Sequence, residues 1–73
     1  MLVTLNSVRL KEEREKQNIS QRTLACTAET SERYVRDLEK GNKTNPSAEM
    51  LFRISIALNV PMNDLMTIVQ GED

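Results

Sequence analysis

Arg33 and Arg36 lie three residues apart, flanked by Glu32 and Asp37, and Lys40, Asn42 and Lys43 follow closely. A guanidinium is a rigid fork of N–H donors that fits a phosphate, or the O6 and N7 edge of guanine. A lysine ammonium is a point charge suited to a phosphate. Ser31 and Tyr34 add hydroxyls to the same stretch, and Gln21 adds a carboxamide upstream. Gathered on one surface, these groups could hold a polyanion. The plainer reading is a solvated helix face, because Glu32 with Arg36, and Arg33 with Asp37, are i, i+4 pairs of opposite sign. On residue type alone, the plainer reading is the stronger for the two arginines.

Composition narrows the other chemistry. The chain has 73 residues, no His and no Trp, and Cys26 is the only cysteine. An internal disulfide is impossible, and a zinc site lacks its usual ligands. A Ser–His or Cys–His nucleophile is excluded as well. The longest uncharged run is 10 residues, Ile54 through Asn63, too short to cross a bilayer. Nothing basic precedes Arg9, so the start does not resemble a secretory signal, and a cytoplasmic protein is expected. Cys26 is expected to be a structurally neutral residue, and Met50, Met62 and Met66 to fill gaps in packing, with a dimer interface as the alternative for Met62 and Met66. Net charge is −1, but residues 1–43 carry +2 and residues 44–73 carry −3. Contact with a polyanion is therefore expected in the first part.

The apolar spacing is helical almost throughout, and predicts a compact all-α domain of five helices spanning residues 1–73. Asn6 or Ser7 caps a first helix over about 7–17, with Leu10 and Arg14 on one face. Ser20 opens a second over about 21–27, with Leu24, small Ala25 and small Ala28 on its inner edge. After a turn at 28–30, Ser31 caps a third over about 32–40, with Val35 and Leu38 inward, and Gly41 stops it. Pro46 and Ser47 start a fourth that runs to about residue 59. Its inward stripe is Leu51, Ile54 and Leu58, with Phe52 and Ile56 on a second side. Pro61 starts a fifth to about residue 69, with Leu65 and Met66, or Ile68 and Val69, inward.

The most informative stretch is 20–38. A small residue near the start of one short helix, a turn, and two apolar residues three apart on the next let the helices cross closely. The outer face of the second is then free to enter a major groove. Together with Leu10-x-x-x-Arg14, Ile19-Ser20-Gln21-x-x-Leu24-Ala25, Val35-x-x-Leu38-Glu39-Lys40-Gly41, Asn45-Pro46-Ser47 and Ala57-Leu58-Asn59-Val60, this pattern resembles the Cro and phage-repressor type of helix-turn-helix domain, the Xre family. The likeness covers most of the chain, with the motif itself at about 20–40.

The resemblance implies roles residue by residue. The position of Gln21 contacts a phosphate. Those of Glu32, Arg33, Arg36 and Asp37 line the base-reading face. Beside it, Ser31 is a further DNA-binding candidate, and the spacing of Tyr34 to Leu38 leaves it open between packing at the core edge and a hydrogen bond to a phosphate. Lys40, Asn42 and Lys43, within 40–44, follow the DNA backbone. Arg14 and Glu39 form a structural ion pair. It further implies a sequence-specific transcriptional regulator, a repressor, bound as a homodimer to a pseudo-palindromic operator in double-stranded DNA. Half-site centres are then about 34 Å apart. No cofactor, metal, small molecule or membrane is implied, and no enzymatic activity. The dimer contact is expected in residues 61–73, at Met62, Leu65, Ile68 and Val69, with Leu2 and Val3 as the second candidate. The other open reading is a protein-interaction module, antitoxin-like or an adaptor, on the same fold.

Three positions depart from the family pattern. Glu29 stands where the turn usually has Gly, Thr23 where an acidic residue often closes a capping box, and Asn6 where an apolar residue is common. Glu32 and Asp37 place carboxylates on the reading face, where they repel phosphates but can each accept from cytosine N4.

Overall fold

The computed structural model describes residues 2–69. Strand β1 (Leu2–Leu5) leads into helix α1 (Ser7–Lys16), followed by α2 (Gln21–Thr27), α3 (Glu32–Lys40) and α4 (Ala48–Leu58). A 3-10 helix, Met62–Leu65, then passes the chain into β2 (Met66–Val69), which pairs antiparallel with β1. The fold is mostly helical, as expected, but the fifth helix does not form. Pro61 starts only the 3-10 turn. Beyond it, Thr67, Ile68 and Val69 are β-branched and prefer extended backbone. The segment Leu2–Leu5 offers them a partner, in the register Leu2 to Val69 through Leu5 to Met66.

Each α-helix starts and ends by the same device. Asn6, Ser20, Ser31 and Ser47 each accept, through a side-chain oxygen, the N–H three residues on, at 3.0–3.1 Å. Such a cap is worth about 1 kcal/mol. At Ser20 the hydroxyl also donates to Thr23 Oγ1 (3.0 Å), so a neutral partner occupies the acidic position of the capping box. Ser47 proves to be the cap of α4 and not its first residue, because its backbone is extended.

At the other ends, Asn18, Glu29, Gly41 and Asn59 take left-handed backbone, with φ of 58°, 60°, 81° and 57°. The amide after each then reaches back to the carbonyl five residues before it: Ile19 to Arg14, Thr30 to Ala25, Asn42 to Asp37 and Val60 to Ser55. This double-bonded stop favours Gly or Asn. Glu29 is the exception, and it carries the cost of a side chain in left-handed backbone.

Leu10, Leu24, Ala28, Val35, Leu38, Ile54, Leu58 and Leu65 are buried completely or nearly so, with Ala25 beside them. α2 packs on α3 and α4, and α1 packs on α3 and the 3-10 turn. Phe52 and Ile56, on the second side of α4, are left exposed, at 54% and 63%.

Candidate nucleic-acid interface

The interface starts at the crossing of α2 and α3. Ala25 and Ala28 keep only a methyl there, and both are buried. Val35 and Leu38 turn the inner face of α3 into the core. Because α3 buries these two, Glu32, Arg33, Arg36 and Lys40 are left exposed on the outside, with Tyr34 and Asp37 half-buried at the margin. Tyr34 packs partly against the core.

The charges on this face are not equivalent. Arg36 Nη2 lies 3.4 Å from Glu32 Oε2, so the expected i, i+4 pair forms and offsets one carboxylate. The expected pair between Arg33 and Asp37 does not form. Among the described residues, no carboxylate comes within 4.0 Å of Arg33, nor of Arg22, Lys40 or Lys43. Arg33 instead borders a shallow depression with Ser31, Tyr34, Asp37 and Lys43. Five residues named from the sequence thus come together on one small surface. Ser31 also caps α3 there.

Lys43 is brought to that surface by the end of α3. Gly41 adopts φ 81°, and the amides of Asn42 and Lys43 both donate to the Asp37 carbonyl, at 3.0 and 3.3 Å. The chain therefore folds back over the helix it has just left. Lys40 and Asn42 remain exposed at the turn.

Arg14 and Glu39 form the structural pair that the family likeness implied. Arg14 Nε and Nη2 donate to the two carboxylate oxygens of Glu39, at 2.5 and 3.0 Å, and Nη1 donates to the Ile19 carbonyl at 2.7 Å. The side chains are 11% and 3% exposed. The carboxylate bond holds the Arg14 guanidinium above its already high pKa, so its charge is permanent. Gln21 completes the group: its Nε2 donates to Glu39 Oε1 at 3.0 Å. Sequence reasoning placed Gln21 only against a phosphate and missed this bond. No local signal could have revealed it, because α2 and α3 are brought together only by the turn between them. The bond fixes the Gln21 carboxamide, and one amide hydrogen remains for another acceptor.

The residues expected at a dimer contact separate. Leu65 is fully buried, so it belongs to the core and cannot meet a second chain. Met62 is half-buried against the core, whereas Ile68 is 56% exposed. The backbone of Val69 lies in β2, and residues 70–73 of the expected tail fall outside the described residues. Among the described residues no cluster of His, Cys, Asp and Glu could hold a metal, and no helix is long and apolar enough to cross a membrane.

A helix-turn-helix family model matches residues 10–65. The chain belongs to that family. Its solved relatives include the master regulator for biofilm formation, SinR, in complex with DNA. That structure has a TM-score of 0.77 and 29% identity, covering 81% of this chain and 97% of that one. The restriction-modification controller protein C.AhdI from Aeromonas hydrophila superposes with a TM-score of 0.75 at 29% identity, over 80% of this chain and 86% of that one. The clp gene regulator ClgR from Corynebacterium glutamicum gives 0.72 at 29% identity, over 80% and 74%. No curated protein sequence matches the chain. All three structures belong to regulators, and none is described as an enzyme.

Proposed function

We propose that this chain acts as a single domain that reads double-stranded DNA with the outer face of α3, and that it regulates transcription as a small repressor. The observation that carries the proposal is Arg33: exposed on α3, opposite the buried Val35 and Leu38, with no ion pair among the described residues. A free guanidinium on such a face suits guanine O6 and N7. Arg36, steadied by Glu32, is a second reader, and Glu32 and Asp37 are acceptors for cytosine N4. Lys40, Asn42 and Lys43 supply backbone contacts, and Gln21 offers its remaining amide hydrogen to a phosphate. Membership of the helix-turn-helix family and the SinR complex with DNA support this reading. One α3 spans only a few base pairs, so useful specificity calls for a homodimer on a two-fold-symmetric site, with half-sites about 34 Å apart.

The test is selection from a random duplex library at about 100 mM salt, where non-specific phosphate binding is already weakened. The wild type should enrich a two-fold-symmetric site that Arg33→Ala no longer selects. If the folded protein enriches no sequence, the reading fails, and a protein-interaction role on this fold takes its place.

A further inference from the structure

The second side of α4 serves neither the core nor the face assigned to DNA. Phe52 and Ile56 stand one turn apart there, 54% and 63% exposed. Beside them runs the turn that ends α2, and Thr27, Glu29, Phe52, Arg53 and Ile56 together line one open depression. Its volume is about 190 Å³. An apolar cavity of about 150 Å³ already holds a benzene ring, so one leucine, methionine or phenylalanine side chain fits. Ile56 also borders a second depression with Ser55, Asn59, Val60 and Pro61, where no lining residue is charged.

The charges around this face do not cancel. Arg53 is taken up by Glu49, whose Oε2 accepts from Arg53 Nη2. Glu29 is exposed, and among the described residues no Lys or Arg forms an ion pair with it. One uncompensated negative charge therefore stands beside an apolar seat. That carboxylate is also held at a cost. Glu29 has φ 60°, in left-handed backbone that glycine adopts without strain. Strained backbone of this kind gathers at functional surfaces.

A basic, apolar occupant answers both features. A second copy presenting the same face does not, because its Arg53 is already paired and its Glu29 adds a like charge. We propose that this face docks an amphipathic helix of another protein. An aliphatic or aromatic side chain of that helix sits between Glu29, Phe52 and Ile56, and a Lys or Arg one turn away pairs with Glu29. None of the lining residues is among those assigned to DNA, so the inference does not rest on the regulator reading. Ser31, the cap of α3, comes two residues after Glu29. The docked helix therefore lies next to the reading face without covering it.

The probe is a phage library of short helical peptides, selected on the full chain and counter-selected on Phe52→Ser with Ile56→Ser. Enriched peptides should combine an apolar anchor with Lys or Arg. The double change should weaken their binding about tenfold or more, with the helical circular dichroism and melting temperature retained. If it fails to fold, Ile56→Lys, which repels a basic peptide, decides alone. Glu29→Gly should weaken binding about two- to fivefold and flatten its salt dependence, while the fold is no less stable. A merely apolar patch would not show that loss. Arg33→Ala should bind the peptides as the wild type does. The proposal is overturned if no enriched peptide depends on Phe52 and Ile56, if the peptides are acidic or indifferent to Glu29→Gly, or if Arg33→Ala loses them. A wild-type dimer in sedimentation that the double change dissolves overturns it too, because a second copy then covers the face. If the folded wild type binds such peptides but selects no duplex, the DNA reading falls and the docking remains.

Discussion

Glu39→Ala would remove the centre of the group that joins α1, α2 and α3. The carboxylate accepts from Arg14 Nε, Arg14 Nη2 and Gln21 Nε2. Without it, a guanidinium whose side chain is only 11% exposed keeps a single acceptor, the Ile19 carbonyl. Orphaning one partner of a buried pair costs about 3–5 kcal/mol. A domain of this length holds only about 4–11 kcal/mol in all. Its unfolding entropy is roughly 0.15 kcal/mol/K, so the melting temperature should fall by about 20–30 °C. Urea unfolding followed by circular dichroism measures the loss, and an unchanged slope against urea would show that the two end states are the same. Replacing both partners, Arg14→Met with Glu39→Leu, should restore most of the stability, because neither charge is then stranded. A loss under about 1 kcal/mol for Glu39→Ala would refute the reasoning and place the pair with ordinary surface ion pairs. A double variant as unstable as the single one would refute it equally.

Arg33→Ala should cost about 1–3 kcal/mol on a selected DNA site and relax the preference at one base pair. Its urea midpoint should hardly move, since the side chain is exposed and unpaired; a large stability loss would mean that Arg33 is structural. Glu29→Gly should stabilise the fold by about 0.5–1 kcal/mol in thermal melts, because it relieves a φ of 60° at the end of α2. No gain would show that the turn is unstrained. The Glu13 carboxyl lies below its usual value of 4.5, chiefly through the hydrogen bond from Arg9; this outweighs its partial burial, and Lys16 adds to it. A depressed folded value means the stabilisation is complete above the unfolded value and is lost as pH falls through the folded one. The melting temperature should therefore drop more steeply below pH 4.5 in the wild type than in Glu13→Gln, and parallel curves would count against this account.

The four α-helices were legible in the sequence because their signals are local. Asn6, Ser20, Ser31 and Ser47 announce the starts, while Gly41 and the apolar spacing around Val35 and Leu38 announce α3 and its end. The ribbon was not legible, because its two strands are four residues each and sit at opposite ends of the described chain. Four residues are too few to separate an alternating pattern from a helical one, and Leu65, Met66, Ile68 and Val69 fit either. The outer face of α3 followed once Val35 and Leu38 were placed inward. Which of its charges pair did not follow: Glu32 meets Arg36, but Asp37 leaves Arg33 alone. That choice depends on side-chain rotamers, which residue spacing does not determine. The bond from Gln21 to Glu39 likewise arises only after α2 and α3 have docked.

The β1–β2 pairing also orders events in time. The α-helices draw on contacts between segments that lie near one another in sequence, and such contacts form early. The ribbon joins the first described residues to the last, so β1 has no partner until β2 has been synthesised. Docking of α1 against the 3-10 turn brings Asn6 beside Leu65. The entropy of closing so long a loop has therefore largely been spent before the strands meet. The ribbon is consequently the last unit to close during synthesis. With only four residues in each strand, it is also the unit that thermal fluctuation should open first.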